Sequence, residues 1–236
     1  MFLHGLRFVL PALALGVNGC DAGTKIPATR SFDLRPDEWA VGFADLPVDF
    51  APELYELDYG SRRLPSGLEG DGLYVQGHNR SDDLFMFLKT QLDGLEPRTG
   101  YRVTFVVDLA TCVPEGMVGI GGSPGESVYV KAGATTLEPE VLTDDAGYLR
   151  MNIDKGNQAR EGVNMINLGN IAHPDLTGAA GEKFMIKRLE STGRDFRATS
   201  DADGNMWVIV GTDSGFEGLT TLYYGKVSVV LEETYD

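Results

Sequence analysis

The sequence predicts an all-β chain: an antiparallel β-sandwich carrying a loop-rich insertion. Three observations predict it. Apolar runs of strand length recur, separated by turn clusters about every ten residues. The turns are well supplied, with 30 Gly and 11 Pro among 236 residues, the types that punctuate strands. Apolar residues at helical spacing never persist for a useful length, while a hydrophobic content of 42% is enough for a real core.

The elements follow in order. Residues 1–19 read as a secretory signal: His4 and Arg7 in a short basic start, the apolar run Phe8 to Leu15, then small residues before a cut site. The run is too short to span a bilayer. Residues 20–30 are small, polar and Pro-containing, a tether. Residues 31–236 form one domain. Its strands are expected at 72–76, 83–92, 101–110, 127–131, 148–153, 194–200, 206–211 and 221–231. In 101–110, Tyr101, Val103, Phe105 and Val107 share one face, and Arg102, Thr104 and Asp108 the other. Phe105 is expected inside, opposite strands that hold Trp207 or Val227. Asp201 to Asn205 reads as a hairpin turn, since Gly204 and Asn205 tolerate positive φ. Residues 155–190 hold the insertion, with one further strand at 183–189.

Charge narrows the partners. The formal net charge is −15, and residues 1–19 carry one Arg and no acid, so their removal makes the chain one charge more negative. Such a surface repels phosphate backbones and anionic lipid headgroups, which excludes nucleic acid as a partner. Membrane attachment then has to come from a lipid. Cys20 and Cys112 are the two cysteines. Cys112 ends an apolar run, and neither His78 nor His173 has recognisable spacing to it, so a buried inert thiol is expected.

Two resemblances enter here. Val17-Asn18-Gly19-Cys20 resembles the lipobox of bacterial lipoproteins, with Asn18 departing from the usual small residue. It implies cleavage before Cys20, lipidation of that cysteine, and a chain tethered extracytoplasmically in the bacterial cell envelope. Phe32-Asp33 followed by Trp39, the turn Leu95-Glu96-Pro97-Arg98-Thr99-Gly100-Tyr101, and the closing strand from Thr221 resemble the galactose-binding-like jelly roll of many carbohydrate-binding modules. The resemblance spans 31–232 and implies a fold. Gly225 stands where those modules commonly have Asp, which argues against a calcium site on the last strand. The segments 120–131, 152–157 and 211–218 resemble those of functionally uncharacterised bacterial envelope proteins.

Several motifs carry little chemistry. Asp201-Ala-Asp-Gly-Asn205 places oxygens at alternate positions as a calcium loop does, yet Thr212 stands where the twelfth-position acid belongs and flanking helices are missing. No cofactor is expected. Gly121-Gly-Ser-Pro-Gly125 lacks the Lys-Ser/Thr ending of a phosphate loop, and Pro124 removes an amide that a serine nucleophile at Ser123 would need.

The most suggestive groups are distributed: Asp82, Asp83, Glu126, Asp154, Asn157, Asp213, Phe216 and Glu217, each at a strand end beside glycines. Planar carboxylates and amides fix sugar hydroxyls while a ring covers the C–H face; Tyr129, Phe216, Trp39 and Tyr74 are candidate rings. The same side chains can equally cap loop amides. Three functions therefore stay open. The first is a non-catalytic module for carbohydrate or envelope glycan, the second an envelope structural or protein-interaction module, and the third a glycan-active hydrolase using two carboxyls.

Overall fold

The computed structural model describes residues 28–234; the signal segment, Cys20 and most of the tether lie outside the described residues. The strands in chain order begin with β1 (Thr29–Leu34), β2 (Ala40–Ala44), β3 (Leu46–Pro47), β4 (Asp58–Arg63) and β5 (Asp71–His78). β6 (Leu84–Leu92), β7 (Gly100–Thr111), β8 (Val128–Thr135), β9 (Val141–Thr143) and β10 (Tyr148–Met151) follow. β11 (Met165–Asn170), β12 (Met185–Glu190), β13 (Arg197–Thr199), β14 (Met206–Ser214) and β15 (Leu219–Glu233) complete them, with the short helix α1 (Pro52–Tyr55) and a 3-10 turn at Pro36–Glu38.

One sheet runs β12-β7-β15-β5-β4, with β1 added on β15 and β13 on β7; the facing sheet runs β11-β8-β14-β6-β2. Every pair of named strands is antiparallel. From β5 to β8, and again from β14 to β15, the chain steps from one sheet to the other. The predicted sandwich is present.

Period-2 alternation builds the core. Tyr101, Val103, Phe105, Val107 and Leu109 of β7 are all buried against Val128 and Val130 of β8, Leu84 and Met86 of β6, and Val208 and Val210 of β14. Phe105 sits inside as expected, its ring 5.7 Å from that of Phe196. Of the two strands expected opposite it, the one that holds Trp207, β14, does face it from the other sheet, and the one that holds Val227 does not. Val227 belongs to the neighbouring strand of the same sheet, and Trp207 is half-exposed on the far side of the other sheet. The reason is parity: the inward set of β14 is Met206, Val208 and Val210, so Trp207 must point out.

The five-stranded sheet is also covered on its outer face. Phe85, Phe87, Ile209 and Ala44 pack there with Ile153 and Met165, under a small sheet ordered β3-β10-β9. Burial on both faces explains the unbroken apolar run Leu84 to Leu88, which alternation alone does not. Phe85 lies over Gly211, where any Cβ would come within 2.8 Å of the ring.

Other boundaries shift. β1 starts at Thr29, opposite Glu232, before the domain start expected at Ser31. The 155–190 segment holds two strands; β11 escapes notice because a bulge between Asn167 and Gly169 breaks its alternation. Asp201–Asn205 is not a hairpin between paired strands. It carries the chain from β13, paired with β7, across to β14 in the other sheet. Asp201 Oδ1 accepts the N–H groups of Asp203 and Asn205, both at 2.8 Å, so this carboxylate works as an Asx cap. Cys112 is buried, and burial pushes its thiol up.

Candidate functional site

The site lies where β14 ends on the outer face of the five-stranded sheet. Parity sends Asp213 to that face, beside Phe85 of β6 and Tyr129 of β8 in register, with Lys131 two residues along β8. The loop after β10 then folds over them and brings in Lys155 and Gln158.

The Asp213 side chain is 0% exposed. Its Oδ2 accepts Lys131 Nζ at 3.1 Å, Lys155 Nζ at 2.8 Å and the Gln158 N–H at 2.8 Å. Lys155 Nζ also pairs with Asp45 Oδ2 at 2.8 Å, and Arg150 Nη1 with Asp45 Oδ1 at 2.6 Å. Lys131 donates further to the Arg160 carbonyl at 2.8 Å. Asp83 completes the group: an oxygen each from Asp45, Asp83 and Asp213 lie within 4.8 Å of one another. Asp83 Oδ1 and Asp213 Oδ1 are buried without a hydrogen-bond partner.

Electrostatics divides the roles. Burial, then the neighbouring charge of Asp213, push Asp83 up to about 8, so it holds its proton at neutral pH. Burial opposes ionisation of Asp213 too, but Lys155 and Lys131 outweigh it and keep that carboxyl below the usual range. Burial drives Lys131 down. Lys155 is pushed up, because Asp213 and Asp45 overcome its desolvation. With Asp83 neutral, two ammoniums balance the carboxylates of Asp45 and Asp213, and Arg150 adds a further positive group on Asp45. Three carboxylates this close could in geometry take a hard cation, but Lys131 and Lys155 already neutralise them and leave it no net charge to bind.

A cleft of about 230 Å³ opens above this floor, lined by Asp83, Arg150, Ile153, Asp154 and Asn157 among others. The Arg150 guanidinium sits 4.9 Å from the Tyr148 ring.

The sequence-predicted residues divide into two groups. Asp82, Asp83, Asp154, Asn157 and Asp213 come together at this end. Asp82 is exposed and its carbonyl accepts Gln158 Nε2 at 3.4 Å. Asp154 is exposed, but its carboxylate caps Val163 N–H at 2.9 Å and Gly156 N–H at 3.0 Å, bonds that hold it below the usual range. Asn157 closes a backbone bridge with Arg160 and is exposed at the rim. Asp213 is sealed beneath the cleft and holds its floor; it presents no surface to a ligand.

Glu126, Phe216 and Glu217 belong to an adjoining loop layer. Glu126 accepts the Gly116 N–H at 2.6 Å and the Ser123 hydroxyl. Phe216 packs on the main core, with Gly119 and Gly218 against its ring, so that ring is spent on packing. Glu217 lies against Gly121. Tyr74 stands on the other sheet, covered by Arg62 at 3.6 Å and by Tyr223.

Sequence reasoning missed Asp45, Lys131 and Arg150. Lys131 had a signal: a lone lysine inside the otherwise apolar or small strand Val128–Thr135. A lysine there must be paired or exposed. Asp45, at φ 65, had none beyond its polarity after a strand.

No protein-family model matches the sequence, and no curated protein does. Solved structures do match. One is the enzymatically active domain of tailspike protein 4 of bacteriophage CBA120, 9% identical with a TM-score of 0.32; the match covers 81% of this chain and 20% of that one. This chain thus spans about a fifth of the tailspike chain. A carbohydrate-binding module described for specific mannan recognition is 11% identical, with a TM-score of 0.37 and coverage of 89% and 98%. A module in complex with β-1,4-galactotriose is 12% identical, with a TM-score of 0.34 and coverage of 81% and 86%. At these values the likenesses bear on no residue of the site.

Proposed function

We propose that this chain is a membrane-anchored, extracytoplasmic, non-catalytic module that binds a carbohydrate or envelope glycan. The observation that carries the reading is the polar cleft above the Asp45–Asp83–Asp213 floor. Asp83, Arg150 and Asn157 are planar groups suited to paired bonds with neighbouring hydroxyls. Tyr148, whose ring lies 4.9 Å from the Arg150 guanidinium at the cleft, would supply a ring for a C–H face. The ion pairs beneath hold these groups in place before a ligand arrives, which lowers the ordering cost of binding. Glycoside cleavage fits poorly. It needs two reachable carboxyls roughly 5–9.5 Å apart, whereas Asp213 is enclosed and tied to two ammoniums.

A glycan array probed with the full chain in detergent tests this. Retention on a subset of glycans is expected, weakened about tenfold or more in Arg150→Ala and several-fold in Asn157→Ala, what losing a charge-assisted and a neutral bond cost. No retention, or retention indifferent to both changes, refutes the reading. The anchor rests on Gly19-Cys20. Cys20→Ser should abolish acyl labelling and release the chain from membranes, since the acidic domain has no second attraction for a bilayer; continued partitioning with membranes overturns it.

A second reading, a protein-interaction module, is favoured by Val118 and Ile120, which are 94% and 72% exposed. Partner capture lost in a Val118→Ser, Ile120→Ser double variant, with glycans not retained, would replace the first reading.

A further inference from the structure

The buried cluster sets a lysine 3.1 Å from a carboxylate, with an oxygen of a second carboxyl, Asp83, within 4.8 Å, and Asp213 is too enclosed to serve a ligand. We propose that Lys131 and Asp213 condense into an intramolecular isopeptide bond, with Asp83 as the proton-transferring acid and Lys155 and the Gln158 N–H holding the carbonyl oxygen.

Each part has its place. Lys131 is 0% exposed, on β8, and its Nζ lies 3.1 Å from Asp213 Oδ2 on the neighbouring β14. The Arg160 carbonyl, 2.8 Å away, accepts one of its hydrogens and aims the nitrogen. Lys155 Nζ and the Gln158 N–H both point at Oδ2, where negative charge grows when an amine adds to the carboxyl carbon. Oδ1, the oxygen that must leave, is buried without a partner, and so is Oδ1 of the neighbouring Asp83. Phe85, 4.9 Å from Lys155 Nζ and stacked on Phe87, keeps the surroundings apolar. Burial lowers the Lys131 ammonium's hold on its proton, and Asp83 is protonated at neutral pH.

The step balances without an oxidant or any second reactant. The Lys131 ammonium passes a proton to the Asp213 carboxylate, giving amine and carboxylic acid. The nitrogen lone pair forms the Nζ–Cγ bond, and charge collects on Oδ2. Oδ1, already carrying one hydrogen, takes the Asp83 proton and departs as water when the Cγ–Oδ1 bond breaks. The surplus hydrogen on nitrogen returns to Asp83. Ammonium and carboxylate become amide and water. Holding the reactants in contact supplies the entropy that condensation otherwise lacks in water.

The product suits the site better than the reactants do. The amide N–H keeps the Arg160 carbonyl, the amide oxygen keeps Lys155 and Gln158, and the orphaned Oδ1 is gone. One buried ion pair with its desolvation cost is removed, and Lys155 still balances Asp45. Lys155 is not the nucleophile, because two carboxylates hold its charge.

A tryptic map of the denatured full chain decides this without reference to any ligand. Trypsin should fail to cleave after Lys131. A branched peptide should join the Lys131 and Asp213 segments, lighter by one water than their sum. It should persist in Lys155→Arg, be absent in Lys131→Arg and Asp213→Ala, and form about a hundredfold more slowly in Asp83→Asn. A folded wild-type chain that yields only linear peptides ending at Lys131 overturns the proposal, as does a branch through Lys155. Formation in Asp83→Asn at the wild-type rate overturns the role of Asp83. The wild-type map stands even where a variant fails to fold.

Discussion

Phe105→Ala tests how the main core is organised. Phe105 is fully buried on the central strand β7, flanked by β12 and β13 on one side and β15 on the other, and its ring meets Phe196 at 5.7 Å. Truncation removes the transfer free energy of the ring and leaves a cavity that two packed sheets cannot close, a cost of about 3–5 kcal/mol. Loss of the ring pair adds about 0.5–1.5 kcal/mol. Phe105→Leu keeps part of the volume and should cost roughly 1–2 kcal/mol, while Val106→Ala, on the half-buried opposite face, should stay near or below about 1 kcal/mol. Urea denaturation at pH 7 measures the series, reading the shift in midpoint at constant m. In thermal melts each kcal/mol should move Tm by about 2–4 °C for a domain of this size. The ranking carries the argument. A loss below about 1 kcal/mol for Phe105→Ala, or a larger loss for Val106→Ala, would show that the inward face of β7 is assigned wrongly.

Three further outcomes concern the site. Asp83 holds its proton in the folded chain up to about pH 8 but loses it near pH 4 when unfolded. Stability should therefore fall as pH rises through that window, and the slope should vanish in Asp83→Asn; equal slopes in both proteins refute it. Lys155→Met deprives Asp45, and Asp213 until it condenses, of a cation at 2.8 Å and should cost about 3 kcal/mol or more by urea denaturation, with a neutral result disproving the bracing role. Gly156, at φ 71, faces the Arg160 carbonyl 2.1 Å from where a Cβ would sit. Gly156→Ala should distort the loop over the cleft, exposing its amides to faster hydrogen exchange, while unchanged exchange there would show the loop to be tolerant.

Local sequence determined the class of fold and most of the strands, because alternation, turn residues and strand length are properties of neighbours along the chain. β7 and β15 read correctly for that reason, as did the burial of Phe105. The elements that escaped are those whose pattern is set by distant partners. β4, Asp-Tyr-Gly-Ser-Arg-Arg, is a polar edge strand, and β11 is broken by a bulge. β6 was legible as a strand, but its burial on both faces was not, because that depends on the small β3-β10-β9 sheet covering its second face. The site divides along the same line. Asp82, Asp83, Asp154, Asn157 and Asp213 were legible as polar groups outside apolar runs, yet which of them face solvent was not. Tertiary structure decided that Asp213 lies under the loop after β10, that Phe216 serves the core, and that Lys131, 82 residues from Asp213 in sequence, touches it in space. Charge pairing in a buried site depends on which strands lie side by side, and strand order is written in no single segment of the chain.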